Sequence, residues 1–558
     1  LAYPGWGFDL GWLAWVGLVP FLWSLAHVAS GHDRTRKRHR ILRTAFWVGF
    51  VTGLVYFLII FRWLWSIRPL DTLGLESGVV SFVVALLIYL ISSAGMAVFW
   101  GLASTAIGYQ LSAISKRADN KLTAVMGWLA ILAAFTVLEY FRSWGFGFLW
   151  AGSGSLFGPH WTLGNLAYAL ADNSWVLKLS SYVGIYGVTF LIIFVNCLVF
   201  TILKRGPGVS RLPKLPKAAL APRAALGVLV ILLIYFGPKL IGPPVSQQEN
   251  SKQVNFAIIQ TAQQTKLSPN PQEMLAGFKE QLESLDRVAK EHPESQLIVF
   301  PEASDFFKNL SLFLTPVQVE NYFSKLFKEP RLMISGGRTL DSTTGNAYSR
   351  VFSLDTRGDI IGYYDKRLLV PGGEFLPYPL RVITNLFYKL TVSQFSELRE
   401  LVVGQKDIST VGFRYQFNVA PLICSELISP GVTKQATQNA DIIVSMASYG
   451  VFHGNRTIAS QMLATARFRA AENRKPIITA ANLGRSHVID NRGNIVFLAQ
   501  NSDSQILTGS VAIDNGKSWY NREGDTPIIL GSLVLVIVSA LKTGVISQTK
   551  NWLRRNQS

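Results

Sequence analysis

The feature that most constrains this chain is a series of long apolar stretches separated by short basic loops. A helix needs about 20 residues to cross a hydrocarbon core, and five stretches approach that length. They are residues 10–30, 45–61, 122–138, 182–203 and 224–241, and residues 526–541 form a shorter candidate. Hydrophobic residues make up 49% of the chain and its mean hydropathy is +0.28. The sequence therefore predicts a multi-pass membrane protein.

The distribution of charge indicates which loops face the cytoplasm. A net charge of +19 would by itself also suit a nucleic-acid-binding protein. The Lys and Arg residues, however, cluster at residues 32–43, 116–121, 203–223 and 542–555, beside the apolar stretches. This is the pattern of cytoplasmic loops in a membrane protein. We therefore expect these four clusters on the cytoplasmic side, and no nucleic-acid partner.

Residues 77–115 form an uncharged run that is long for one crossing and just long enough for two. Two crossings would place the basic cluster at residues 116–121 on the wrong side, so the charge pattern favours one long helix. The alternation then places residues 245–520 outside the cytoplasm. It also places residues 1–9 outside, and we expect a missing upstream helix, with about seven crossings here and about eight in the intact protein. A removed signal peptide is the alternative explanation.

From Gln253 onward, short β-rich runs alternate with amphipathic helical stretches such as residues 272–291 and 456–473. The runs are residues 254–260, 296–302, 331–337, 348–354, 359–366, 419–424, 441–447 and 475–482. This alternation predicts an α/β domain large enough for its own core. The predicted organisation is a helical membrane domain (1–245), an inserted extracytoplasmic α/β domain (246–520), and a last transmembrane helix with a cytoplasmic tail (521–558).

Three of the predicted strands end in a reactive side chain, namely Glu302, Lys366 and Cys424. The only other cysteine, Cys197, lies in an apolar stretch, so we expect no disulfide. A thiolate can attack a carbonyl, a carboxylate can take and return the proton, and an ammonium can stabilise the oxyanion. Each residue alone would also fit a surface or core position. Together, beside Pro and Gly turn signals, they predict a nucleophilic site.

The segments FPEAS, YDKRLLVPGGEFLP and PLICSE contain these three residues. They resemble the carbon–nitrogen hydrolase (nitrilase) superfamily, and specifically its membrane branch, the apolipoprotein N-acyltransferases. The resemblance implies an αββα nitrilase-like sandwich, with Glu302 as general base, Lys366 as the oxyanion-side cation and Cys424 as nucleophile. It also implies that Glu374 and Glu426 are supporting acids in the site.

The same resemblance implies a function. The expected reaction transfers an acyl chain from a membrane phospholipid, through a cysteine thioester, to the N-terminal amine of a diacylglyceryl apolipoprotein. We expect a monomer in the bacterial inner membrane, with its catalytic domain on the periplasmic face. No zinc-type cluster or phosphate-cradling loop is present, so we expect no metal and no cofactor. The alternatives are a membrane-tethered amidase or nitrilase, and a catalytically silent lipid-binding scaffold.

Two membrane-side features leave alternatives open. Glu139, Arg142 and Trp144 resemble the branch's membrane signature, but the charged pair is also consistent with an interfacial ion pair beside an aromatic belt. The apolar segments 375–388 and 449–452 either dip into lipid, act as lids, or pack on the membrane domain.

The chain also departs from the family pattern at two places near Cys424. Ser425 stands where the family usually has Tyr, and residues 447–452 lack the Asn, Asp and Trp of the usual S-N-D-x-W-F motif. We expect these departures to affect substrate positioning more than the covalent step.

Overall fold

The structure is a computed structural model that describes most of the chain. The described residues are 2–5, 10–29, 38–70, 78–116, 121–203, 252–263, 270–302, 304–356, 360–387, 400–405, 417–514 and 516–542. The predicted crossing at 224–241 and the basic cluster at 203–223 lie almost wholly outside these ranges.

The N-terminal half is built from apolar helices. They are α1 (Val19–Ala29), α2 (Arg38–Ile60), α3 (Gly78–Lys116), α4 (Lys121–Leu149) and α5 (Ser174–Leu203). Each is long and apolar enough to cross a membrane when the 3-10 turns flanking α1 and α2 are included. Helix α3 is a single helix of 39 residues, so the prediction of one long helix is confirmed. Helix α4 was predicted to end at residue 138 and continues to Leu149, because the apolar and aromatic sequence extends that far.

Glycines allow α2 and α3 to pack closely as an antiparallel pair. A Cβ added at Gly49 would lie 2.5 Å from the Trp100 carbonyl oxygen, and one added at Gly108 would lie 2.9 Å from the Ala45 Cβ. The start of α2 therefore lies beside the end of α3. Both of these helix ends carry basic residues, so the basic residues lie on the same side, as the charge pattern requires.

The C-terminal half contains two mixed sheets. Their strands are β1 (Lys252–Gln260), β2 (Leu297–Val299), β3 (Leu332–Leu340), β4 (Ala347–Asp355), β5 (Ile360–Asp365), β6 (Val419–Ile423), β7 (Ile442–Ser448), β8 (Ile477–Asn482), β9 (His487–Ile489), β10 (Ile495–Leu498) and β11 (Gln505–Ile513). The sheet orders are β11-β1-β2-β3-β4-β5 and β10-β9-β8-β7-β6. The predicted eight strands are all present.

The last three strands, β9 to β11, were not predicted from the sequence. Strand β9 has only three residues, and β10 is largely exposed. Strand β11 pairs with β1 along all nine of its residues. That partner lies far away in the sequence, so local patterning gave little signal for β11.

The helices that cover the sheets complete a layered fold. They are α6 (Pro271–Glu291), α7 (Phe306–Phe313), α8 (Pro316–Leu326), α9 (Tyr378–Phe387), α10 (Pro430–Ala436), α11 (Arg456–Asn473), α12 (Trp519–Glu523) and α13 (Thr526–Lys542). Side chains from the inner faces of both sheets form one core between them. Helices α6, α7 and α8 pack on the outer face of the six-stranded sheet. This is the αββα arrangement that the resemblance implied.

The outer face of the five-stranded sheet packs toward the membrane helices. In β6, Val419 and Ile423 face the core between the sheets, whereas Ala420 and Leu422 face the opposite way, as strand alternation requires. Ala420 and Leu422 belong to one apolar cluster that continues through α11 into the membrane helices. Helix α13 packs against α4, and Ser539 and Gln110 lie 3.2 Å apart. The predicted domain boundaries at residues 245 and 520 stay predictions.

The close contact of α2 and α3 makes a testable prediction. Gly49→Ala should lower the stability by about 1–3 kcal/mol, because the new methyl group meets the Trp100 carbonyl, which cannot rotate away. Thermal unfolding in detergent should show a lower transition temperature. Gly78→Ala is the matched control, since a Cβ there meets nothing within 4 Å. Equal transition temperatures for the two variants would contradict the packing described.

Candidate active site

Cys424 lies at a sharp turn that directly follows strand β6. The strand ends at Ile423, and a 3-10 helix, Cys424–Ile428, begins with the cysteine. Cys424 has a φ of 45°, a left-handed conformation that is unfavourable for a residue with a side chain. The turn leaves the thiol partly exposed at the rim of the sheet. Such strained positions cluster at functional sites, which is consistent with a nucleophile.

Lys366 is held between two carboxylates. Its ammonium lies 3.3 Å from Glu302 Oε1 and 2.8 Å from Glu374 Oε1, and its side chain is 1% exposed. Glu374 also accepts a hydrogen bond from the backbone N–H of Val370, and Glu302 accepts one from Ser448. Glu302 lies three residues beyond the end of β2, further from its strand than predicted. The structure thus brings Glu302, Lys366 and Glu374 into direct contact.

These charges and their burial set the protonation states of the site. When both carboxylates are ionised, the cluster of Glu302, Glu374 and Lys366 carries one net negative charge. Burial raises the pKa of Glu302, and the Glu374 charge raises it further, whereas Lys366 lowers it. The Lys366 ammonium stays charged because the two carboxylates raise its pKa. A buried carboxylate with a raised pKa is suited to accept a proton from a neighbouring group.

The thiol of Cys424 is close enough to sense both Glu302 and Lys366. Burial and the negative charge of Glu302 raise its pKa, and the positive charge of Lys366 lowers it. Burial and Glu302 outweigh Lys366, so the resting group is a protonated thiol. A base must therefore remove its proton when it attacks, and Glu302 is the neighbouring carboxylate.

Glu426 supports the two turns on which the site depends. Its carboxylate accepts hydrogen bonds of 2.8 Å from the backbone N–H groups of Ile423 and Arg367, which adjoin Cys424 and Lys366. The Tyr364 hydroxyl donates a third, at 2.5 Å. Glu426 is fully buried. It therefore joins the end of β6 to the end of β5, and its contacts are those of a positioning residue.

A mostly apolar cavity lies directly beside Cys424. One side is formed by the Cys424 turn and by Tyr449. The other side is formed by residues of the membrane helices and the turns that follow them, including Phe61, Met96 and Phe146. The lining is mostly aromatic and aliphatic. Such a space suits a long hydrocarbon chain better than a small polar substrate.

The Glu139–Arg142 pair lies inside the protein, at the wall of this cavity. The two side chains are 3% and 1% exposed, and Arg142 Nε lies 2.8 Å from Glu139 Oε1. Arg142 also donates to the Leu163 carbonyl oxygen, at 2.9 Å, and lines the cavity. The pair is therefore enclosed by protein, and its depth relative to the membrane interface stays a prediction. A desolvated pair with further hydrogen bonds holds the loop after α4 in place.

One residue of each apolar segment considered as a lid or lipid contact packs on the membrane domain. Phe375 is buried against Gly152 and Gly154. Phe452 packs edge-on against Trp63, with ring centroids 5.3 Å apart. In segment 375–388, Tyr378 and Val382 are exposed, and residue 388 lies outside the described residues.

Some residues of the site were not identified from the sequence. The backbone N–H of Ser448 holds Glu302, and the hydroxyl of Tyr364 holds Glu426. Ser448 ends β7, the strand next to β6, so its position at a strand end was the available signal. Tyr364 lies in β5, two residues before Lys366. Side chains two residues apart along a strand point to the same side. Within the described ranges, no group of three His, Cys, Asp or Glu side chains could hold a metal ion.

Comparison with known proteins gives a matching family model for each half of the chain. Residues 1–198 match the family model described as the apolipoprotein N-acyltransferase N-terminal domain. Residues 255–521 match the model described as carbon–nitrogen hydrolase. The two models follow each other in order and together span most of the chain. The chain belongs to the apolipoprotein N-acyltransferase family.

Individual relatives match over nearly the full length of this family member. An apolipoprotein N-acyltransferase from Geobacter metallireducens is 26% identical, with 92% of this chain and 87% of the relative covered. One from Caulobacter vibrioides is 25% identical, covering 98% and 94%. Among solved structures, Saccharomyces cerevisiae Nit3, of the nitrilase superfamily, covers 47% of this chain and 90% of its own, with 19% identity and a TM-score of 0.36.

The raised pKa of Cys424 predicts how its reactivity depends on pH. The thiolate is the reactive form, so modification by methyl methanethiosulfonate should be slow near neutral pH and should keep rising about tenfold per pH unit up to about pH 9. Glu302→Gln removes a negative charge that opposes the thiolate. This variant should therefore react faster than wild type at neutral pH.

Cys424→Ser is the control for that measurement, because it retains Cys197, which is buried in α5. A wild-type rate that levels off below pH 7 would indicate a preformed thiolate and would contradict the charge balance described.

Proposed function

We propose that this membrane protein transfers an acyl chain from a phospholipid to the N-terminal amine of a diacylglyceryl-cysteine on an apolipoprotein, through a thioester on Cys424. The observation that carries this proposal is the position of the thiol. It lies beside a buried carboxylate and ammonium, and it opens onto an apolar cavity formed partly by the membrane helices. The relatives that match the whole chain are named apolipoprotein N-acyltransferases.

The first step of the proposed reaction forms the thioester. Glu302 takes the thiol proton as the Cys424 sulfur bonds to the ester carbonyl carbon, and the carbonyl π pair moves to oxygen. Lys366 stabilises this oxyanion, with Glu374 holding the ammonium. When the intermediate collapses, the bond to the glycerol oxygen breaks. Glu302 returns its proton to that oxygen, and a lysophospholipid leaves.

The second step consumes the thioester. The acceptor amine attacks the same carbonyl carbon and Glu302 takes a proton from the nitrogen. The C–S bond then breaks, and the proton returns to Cys424. Splitting the transfer in this way allows two bulky lipids to use one site in turn, which predicts ping-pong kinetics. Glu426 takes no proton in this scheme and positions the turns that carry Cys424 and Lys366.

We also propose an orientation and an assembly state. The start of α2 and the end of α3 lie together and carry basic residues, which the positive-inside pattern places in the cytoplasm. The site lies toward the opposite ends of these helices, near the end of α2. We therefore place it on the periplasmic face of the bacterial inner membrane. The cavity and the charged residues come from one chain, so we propose a monomer as the active form.

The two alternative functions are not favoured. A hydrolase of the amidase or nitrilase type could use the same three residues, with water in place of the amine. A silent scaffold would have no need of a strained cysteine beside a buried charged group. The names of the relatives favour acyl transfer over both alternatives.

The proposal is tested by supplying both substrates to purified protein. With phospholipid and a diacylated lipopeptide that has a free N-terminal amine, we expect an N-acylated product by mass spectrometry. Cys424→Ala should reduce its formation by a factor on the order of 10⁴ or more, since the nucleophile is lost.

An N-acetylated lipopeptide is the matched acceptor control and should give no acylated product. Release of free fatty acid with either peptide, without N-acyl product, would indicate a hydrolase. Neither product with wild-type protein would contradict both enzymatic functions.

A further inference from the structure

Tyr449 places a hydroxyl group in the cavity beside Cys424. The residue lies just after β7, is 5% exposed, and lines the cavity together with the cysteine. Within the described part of the chain, the hydroxyl has no hydrogen-bond partner. A hydroxyl in this mostly apolar wall is placed to bind a polar atom of a ligand in the cavity.

The ring of Tyr449 is held firmly in place. Its backbone N–H donates to the Asn482 carbonyl oxygen at 2.9 Å, and its own carbonyl accepts from Phe452 at 3.0 Å. The ring lies against Gly484, where an added Cβ would come within 2.2 Å of a ring carbon. The hydroxyl is therefore fixed in position before any substrate binds, as efficient transition-state stabilisation requires.

The hydroxyl is also a hydrogen-bond donor throughout the physiological range. Burial raises its pKa. Tyr449 and Cys424 line the same cavity. A donor close to the attacking sulfur is well placed for the carbonyl oxygen on which negative charge develops.

Two other polar side chains at this wall are already engaged, whereas the Trp63 indole N–H has no hydrogen-bond partner among the described residues. The Ser425 hydroxyl donates to the Leu368 carbonyl oxygen at 2.5 Å. Arg142 is paired with Glu139 and also binds the carbonyl of Leu163. The hydroxyl of Tyr449 is therefore available to a bound substrate where Ser425 and Arg142 are not.

We propose that the Tyr449 hydroxyl donates a hydrogen bond to the carbonyl oxygen of the reacting acyl group, making it a second oxyanion donor besides Lys366. The inference rests on the proposed acyl transfer. As the Cys424 sulfur bonds to the carbonyl carbon, the π pair moves to this oxygen and the hydrogen bond strengthens. Tyr449 keeps its proton, and the hydrogen bond weakens again when the intermediate collapses to the thioester.

Tyr449→Phe removes the hydroxyl and keeps the ring. Thioester formation on Cys424 from phospholipid vesicles, followed by intact mass, should slow by a factor on the order of 10². The lipid concentration giving half the maximal rate should change little, since the apolar contacts remain. Tyr378→Phe, the same substitution at an exposed tyrosine, should match wild type.

A second measurement separates oxyanion stabilisation from an effect on the thiol or the fold. Methyl methanethiosulfonate modifies the thiol without a carbonyl, so its rate at Cys424 should be similar in Tyr449→Phe and wild type. An acylation rate equal to wild type would overturn the inference. A thiosulfonate rate that falls as much as acylation would also overturn it, because Tyr449 would then only position the cysteine.

The same experiment distinguishes failure of the inference from failure of the proposed function. If wild-type protein forms no thioester from the vesicles, the acyl-transfer proposal fails, and the role of Tyr449 fails with it. If wild type forms the thioester and Tyr449→Phe does so equally fast, only the inference fails.

Discussion

The structure depends on an apolar contact between the five-stranded sheet, its covering helix α11 and the membrane helices. Residues of all three parts belong to one buried cluster. Polar contacts fix the orientation within it: Arg62 donates to Thr457 on α11, and Thr162 donates to the Ile428 carbonyl oxygen, just beyond the cysteine turn. The α/β domain thus packs with the Cys424 turn facing the membrane helices. A soluble arrangement of the same sheets would open the site to water instead.

The packing of the α/β domain on the membrane helices explains why the charged residues of the site lie beside an apolar cavity. Charges away from water interact strongly but are costly unless paired. Lys366 is paired with Glu302 and Glu374, and Glu426 is satisfied by two backbone N–H groups and the Tyr364 hydroxyl. Burial and the charge of Glu302 keep the thiol protonated at rest, and Glu302 is the adjacent base. The site is therefore prepared for a carbonyl group that arrives from the membrane side.

Much of this arrangement was predictable because it depends on local sequence patterns. Apolar length and loop charge predicted the helices, including the single long α3. Strand ends marked Glu302, Lys366 and Cys424, although β2 and β5 belong to one sheet and β6 to the other, so the three residues meet only where the two sheets stack. Strand β11 was missed because its partner β1 lies far away in the sequence.

The contacts across the two halves of the chain could not be predicted in the same way. The cavity wall formed by Phe61, Phe146 and Tyr449 arises only when the α/β domain packs on the membrane helices. The spacing of residues within a single sequence segment does not predict that packing. The departure at residues 447–452 was visible in the sequence, but the placement of the Tyr449 hydroxyl was not.

Isolation of the acylated intermediate tests whether Cys424 carries the acyl chain. Wild-type protein is incubated with phospholipid of one defined acyl chain and no acceptor, and the adduct is mapped by peptide mass spectrometry. We expect one acyl group on the peptide that contains Cys424, removed by hydroxylamine. An acyl group on any other residue, or no adduct while N-acylated product still forms when acceptor is added, would contradict it.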